Sequence, residues 1–209
     1  MVPATDQARE RRNGRAREDI LDAAARAIAR SGYAQTTMGD IAEEAGYTVP
    51  SLYAYYSGKD QIVEALAATL SSEILAVFDE GFPDGLTTGQ RVELLLRRLF
   101  TMTDRRRDVL RVFLALPMKG RMSGGEIPDG YEVFRMRLAR WFRENERLGP
   151  RGRKTADDLS VTLLSLCEGF LQRWLRLGAR TLLVQQAPLV TDLFLHGALQ
   201  AIQGRRAAR

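Results

Sequence analysis

Residues 45–59, AGYTVPSLYAYYSGK, leave the chain little choice of local geometry. Glycine adopts the left-handed conformation without steric cost, so Gly46 fits the position just past a helix end. Thr48 is an N-cap residue, whose side-chain oxygen accepts from an amide that the first helical turn leaves unpaired. Pro50 then falls in that first turn, where its missing N–H would have had no partner. Ser57-Gly58 breaks the segment again. Upstream, TTMGDIAEEAG makes Thr37 an N-cap with Asp40 three residues on, a shortened form of the capping box. These signals predict two short helices joined by a tight turn.

Helical periodicity governs the rest, and no strand-like alternation of useful length is present. Ile20, Leu21, Ala24, Ala25 and Ile28 share one face of a helix from Arg17 that ends at Ser31-Gly32. A longer helix is predicted from about Lys59 to Asp79. EGFPDGLTTG, rich in Gly and polar residues, reads as a boundary. Helical patterns follow near 88–103, 105–117, 128–147, 154–178 and 187–203. The expected fold is all-α: a basic disordered leader over 1–16, a three-helix helix-turn-helix domain over 17–62 with a linking helix to about 79, and a larger helical domain over 80–209.

Charge decides less than it first suggests. The chain has 31 Lys and Arg against 26 Asp and Glu, a net +5. Residues 1–60, however, hold eight cations and nine acids, with Arg9, Arg11, Arg12, Arg15 and Arg17 bunched at the start. Such a run is commonly a solvated leader; alternatively it is an arm that reaches DNA phosphates or the minor groove. No uncharged apolar run approaches 18 residues, so no membrane span is expected. The N-terminus lacks an apolar signal core and Cys167 is the only cysteine, which together point to a cytoplasmic chain.

The pieces ILDAA, SGY-x-x-TTM-x-x-IA-x-x-AG and LY-x-Y-Y-x-x-K, spanning Arg17 to Leu66, resemble the DNA-binding domain of TetR/AcrR-like transcriptional regulators. The resemblance implies a homodimer that places its third helix in the major groove of a palindromic operator and binds a small-molecule effector in its C-terminal domain. It implies DNA contacts at Thr37, Thr48, Val49, Pro50, Ser51, Tyr53, Tyr55 and Lys59, with Thr37, Tyr53 and Tyr55 on the phosphate backbone and Lys59 matching the lysine that opens the fourth helix. Tyr56 stands where a phenylalanine usually packs inward. A tyrosine hydroxyl donates to phosphate while its ring packs on protein, losing little conformational freedom. Val49 and Pro50 depart from the lysine and glycine usual there, which favours contact with a thymine methyl over bidentate reading of guanine.

In the C-terminal half, KTADDLSVTLLSLCEGFLQRWLRLG is apolar on more than one side. Leu163, Leu166, Phe170 and Trp174 form one stripe; Thr162, Ser165 and Gly169 form a second, of small residues. With Val190, Leu193, Phe194, Gly197 and Ala201 on the last helix, the second stripe is expected to form a dimer interface; the alternative is one thick core in a monomer. Phe100, Met102, Phe113, Tyr131, Phe134, Trp141, Phe170 and Trp174 are candidate linings of an apolar ligand pocket, with Glu168, Gln172 or Arg173 as polar anchors, although aromatics at helical spacing are as readily ordinary core. His196, the one histidine, and Cys167 make no metal-ligand set, and no cofactor is expected. No nucleophile–base pair, carboxylate pair or phosphate loop occurs at the spacing an enzyme needs. A basic adhesion module remains the competing reading.

Overall fold

The computed structural model describes residues 4–115, 130–145 and 152–199. These residues form nine α-helices and no strand: α1 Ala4–Ser31, α2 Met38–Ala45, α3 Val49–Tyr53, α4 Lys59–Asp79, α5 Thr88–Arg105, α6 Arg107–Ala115, α7 Gly130–Asn145, α8 Gly152–Arg176 and α9 Ala187–Leu193. A π-helical turn, Phe194–Leu199, continues α9.

The chain divides into two compact units, one of residues 1–70 and 108–127, the other of 71–107 and 128–209. The boundary therefore differs from the one expected at residue 80, because most of α6 belongs with the N-terminal helices. In the first unit Ile20, Leu21, Ala24, Ile41, Leu52, Tyr56, Ile62, Leu66 and Val109 form one core. Ile28, Val63 and Val112 form a second, smaller one, against which Phe113 packs.

Local signals settle the helix ends. Thr37 and Asp40 form both bonds of the capping box at the start of α2. Gly46 is left-handed at φ 72°, and the amides of Gly46 and Tyr47 return to the carbonyls of Glu43 and Ala42, the pattern of a Schellman close. Helix α1, by contrast, begins at Ala4, so the leader expected to be disordered is helical. Arg, Gln, Glu and Ala are good helix formers, and a helix nucleated by the buried Ala16 and Ile20 extends without a new nucleus.

Helix α4 is long and apolar enough by composition to cross a membrane. Four of its apolar side chains are buried in protein cores, Ile62 and Leu66 in the first unit and Val77 and Phe78 in the second.

The second unit is built on α5, α7, α8 and α9, with Phe100, Phe142, Phe194, Leu138, Leu159 and Leu163 buried at its centre. Thr87 and Gln90 form a second capping box at the start of α5. Asp104 near the end of α5 accepts from the amides of Leu183 and Val184 at 2.7 and 3.1 Å, fastening the short 3-10 turn before α9. The indole N–H of Trp174 donates to the Thr181 carbonyl at 2.5 Å.

Cys167 lies in this core, and burial pushes its thiol pKa up to about 12. At neutral pH it is the protonated, unreactive form. Alkylation of Cys167 near pH 8 is expected to proceed only as fast as the second unit opens, and denaturant should convert a slow reaction into a rapid one. Fast labelling of the native chain would contradict this burial.

Candidate nucleic-acid interface

The candidate interface centres on α3, a helix of five residues. So short a helix is not stable alone, and its geometry must be held at both ends and from below. Thr48 holds the front: its hydroxyl oxygen accepts from the Ser51 amide at 3.3 Å and lies 2.8 Å from the Ser51 hydroxyl. Leu52 holds it from below, wholly buried among α1, α2 and α4 side chains. Tyr56 closes the far end, 3% exposed, with the Arg17 guanidinium 5.2 Å from its ring centre. Its place in the core agrees with the inward role that the resemblance implied.

With Leu52 and Tyr56 inside, Thr48, Val49, Pro50, Ser51, Tyr53 and Ala54 are left outside, a continuous exposed strip. Tyr53 is the most prominent, 52% exposed. Tyr55 is half-buried, its ring packed edge-on against Tyr47 at 6.2 Å between centres. Pro50 stands in the first turn of the helix, where it stiffens the strip without removing a hydrogen bond.

Thr37 is exposed at the head of α2, and its hydroxyl donates to Asp40 at 2.8 Å. The bonds from Thr37 hold the Asp40 carboxyl below its usual range. Lys59 is placed differently from a free phosphate ligand. Its ammonium donates to the Thr36 carbonyl at 2.6 Å and to the Tyr33 carbonyl, and it lies 4.3 Å from the Tyr33 ring centre. It ties the α1–α2 loop to the start of α4. Tyr33, the tyrosine of the SGY motif, which was assigned no site role, donates in turn to Asp60; burial and that carboxylate raise its pKa to about 12. Arg26 and Arg30 are paired with Glu44, at 2.9 and 3.0 Å, clamping α1 to α2.

The residues suggested for a ligand pocket do not come together as one lining. Phe113 packs in the first unit against Ile28, Val63 and Val112, because α6 joins that unit. Tyr131's side chain lies outside the described residues. Phe100, Met102, Phe134, Trp141, Phe170 and Trp174 all belong to or pack on the core of the second unit. A narrow gap of about 10 Å³, bounded by Leu95, Leu99, Phe134, Leu138, Leu163 and Cys167, lies there; it has room for about one water at most.

On the proposed dimer face, Ser165 and Gly169 are exposed, as are Leu193 and Gly197 beyond α8, and Thr162 is half-exposed. Val190 and Phe194 are wholly buried in the unit's own core and belong to it rather than to a surface offered to a partner. Ala201 lies outside the described residues. A shallow groove of about 670 Å³ runs along α8 between Ser165 and Leu177, past Glu168, Gly169, Gln172 and Arg173. The polar anchors suggested for the pocket thus line the outside of α8. Among the described residues no three His, Cys, Asp or Glu side chains are grouped to hold a metal ion.

Comparison with known proteins agrees with this geometry. Residues 20–66 match the family model described as bacterial regulatory proteins, tetR family. The nucleoid occlusion factor SlmA of Sodalis glossinidius is 26% identical over 164 residues, 77% of this chain and 83% of that protein. The fatty acid degradation regulator FadR of Bacillus halodurans shares the fold with a TM-score of 0.70 at 18% identity, covering 87% of this chain and 95% of that one. FadR of Bacillus subtilis, solved in complex with stearoyl-CoA, has a TM-score of 0.64 at 22% identity, over 86% and 98% of the two chains. Residues 20–66 thus carry a helix-turn-helix of the tetR type, and the described residues share the fold of the solved regulators.

Proposed function

We propose that the chain is a ligand-responsive homodimeric regulator, most simply a repressor released from a palindromic operator by a small molecule. The observation that carries this reading is the exposed strip of α3, Thr48 to Ser51 with Tyr53, held rigid by a cap and by one fully buried leucine. Thr48 and Ser51 are hydroxyl donors for phosphate or base edges, Val49 and Pro50 an apolar pair suited to a thymine methyl, and Tyr53 a phosphate donor. Thr37 and Tyr55 flank the same strip. Lys59 acts by positioning the α1–α2 loop. The exposed parts of α8 and of the segment after it, Thr162, Ser165, Gly169, Leu193 and Gly197, are the surface for a second copy.

The fold relative solved in complex with stearoyl-CoA supports an effector that carries a long apolar chain. Such a ligand would have to part the α5, α7 and α8 side chains that close the core around its narrow gap. It would release the operator only if it favoured a conformer whose two reading heads no longer match the half-site spacing.

Selection on random duplex DNA at about 0.15 M salt tests this. The expected outcome is an inverted repeat with a thymine in each half-site; no enrichment of any repeat would refute the operator reading. Tyr53→Phe is expected to weaken binding about 10-fold on every sequence, the loss of one hydrogen bond to a charged group, while Pro50→Gly should change which sequences are selected. A changed preference in the tyrosine variant would reverse those roles.

A further inference from the structure

Residues 18–60, the helix-turn-helix domain beyond Arg17, carry three cations against seven acids, so the reading head is net negative. All three cations are engaged. Arg26 and Arg30 pair with Glu44, and Lys59 is bound to the carbonyls of Tyr33 and Thr36. Duplex DNA presents about one negative charge per 1.7 Å of axis, and most protein–DNA affinity comes from neutralising it. The strip on α3 supplies hydroxyls and apolar surface but no charge.

The start of α1 has the opposite character. Residues 9–15 are all exposed, and among the described residues the first buried side chain is Ala16. The segment is helical by extension from Ala16 and Ile20 and has no apolar face of its own. Arg9, Arg12 and Arg15 make no ion pair or hydrogen bond among the described residues, and Arg11 engages only the Gln7 carbonyl, at 3.2 Å. At about 100° per residue, Arg11, Arg12 and Arg15 fall within roughly 100° of helix surface, with Arg9 about 60° further round. Glu10 projects outside that arc. Arg17, at the end of this segment, stands over the ring of Tyr56, the residue that closes the reading segment. From Arg17 back to Arg9 is about 12 Å of helix.

We infer that the N-terminal turns of α1 are a second DNA-contacting element, whose Arg9, Arg11, Arg12 and Arg15 neutralise backbone phosphates beside each half-site. The inference rests on the reading of the chain as a DNA-binding regulator and adds the source of its electrostatic affinity. Sequence is read by α3; the arm contributes charge without sequence preference.

The test compares wild type with the variant Arg9→Gln, Arg11→Gln, Arg12→Gln, Arg15→Gln by titrating both with the selected operator over a range of salt. One duplex has long flanks and one is cut to the operator edges. Four phosphates lost correspond to a slope of log K against log salt shallower by about 3.6 per protomer. From about 0.05 to 0.2 M salt, wild type should then lose about 100-fold more affinity per protomer than the variant. Trimming the flanks should bring the wild-type slope to that of the variant and leave the variant unchanged. Equal melting temperatures would show that both fold alike. Equal slopes on the long duplex would overturn the inference. Failure of the operator reading gives a different signature: both proteins would bind without sequence preference, and the slope comparison on any duplex would still decide for or against the arm.

Discussion

Leu52→Ala is expected to remove operator binding on mild warming although it deletes no atom that faces DNA. Leu52 is wholly buried and is the single buried residue of α3. Around it stand Ile20, Leu21 and Ala24 of α1, Ile41 of α2, and Ile62 and Leu66 of α4. Truncating a leucine in such a core costs about 2–5 kcal/mol, the transfer term plus the cavity. A whole domain has only about 5–15 kcal/mol of stability, so the first unit would be left marginal. A five-residue helix has no intrinsic stability to fall back on. Circular dichroism melts and binding isotherms at several temperatures check this together. The melt should move down sharply, and affinity should recover on cooling. Tyr53→Phe should show the reverse, an unchanged melt with weaker binding. Lost affinity in Leu52→Ala with a wild-type melt would mean that Leu52 is not what supports α3.

The double variant Ser165→Arg, Leu193→Glu is expected to give a folded monomer with about 10²–10⁴-fold weaker operator binding. Ser165 and Leu193 are exposed, as are Val161, Gly169, Leu189 and Gly197 on α8, α9 and the π-helical turn. α8 and α9 both pack against that turn within one unit. Small side chains there permit the close approach of a second helix pair, and long charged ones prevent it. Two linked reading heads gain affinity through effective concentration, which a monomer forfeits without losing any half-site contact. Sedimentation should show the monomer, and affinity for an isolated half-site should match wild type. A variant that stayed dimeric would place the interface elsewhere.

What was legible in the sequence follows the range of the interactions concerned. Thr37 with Asp40, Gly46 with Glu43, and Thr48 with Ser51 are bonds across three residues, so the residue types and their spacing suffice to predict them. The buried face of α1 was readable for the same reason. Phe113 was misplaced because its periodicity shows that it is buried, not which unit buries it; α6 turned out to pack with α1 and α4. Val190 and Phe194 were misplaced because an apolar residue on a terminal helix fits a core as well as an interface. The leader was expected to be disordered because a charge run has no apolar face, whereas a helix already anchored at Ala16 and Ile20 extends at little cost.

The sequence by itself determined the all-helical class, the turn at Gly46, the first-turn place of Pro50 and the strip of hydroxyl and apolar residues that α3 presents. These depend on backbone propensity and on capping bonds a few residues long. Only the tertiary structure decided which cations stand away from other groups. Arg26 and Arg30 meet Glu44 across 18 and 14 residues, and Lys59 reaches carbonyls 23 and 26 residues away. A charge is neutralised by whatever the packing brings within a few ångströms of it, and sequence spacing does not encode that distance.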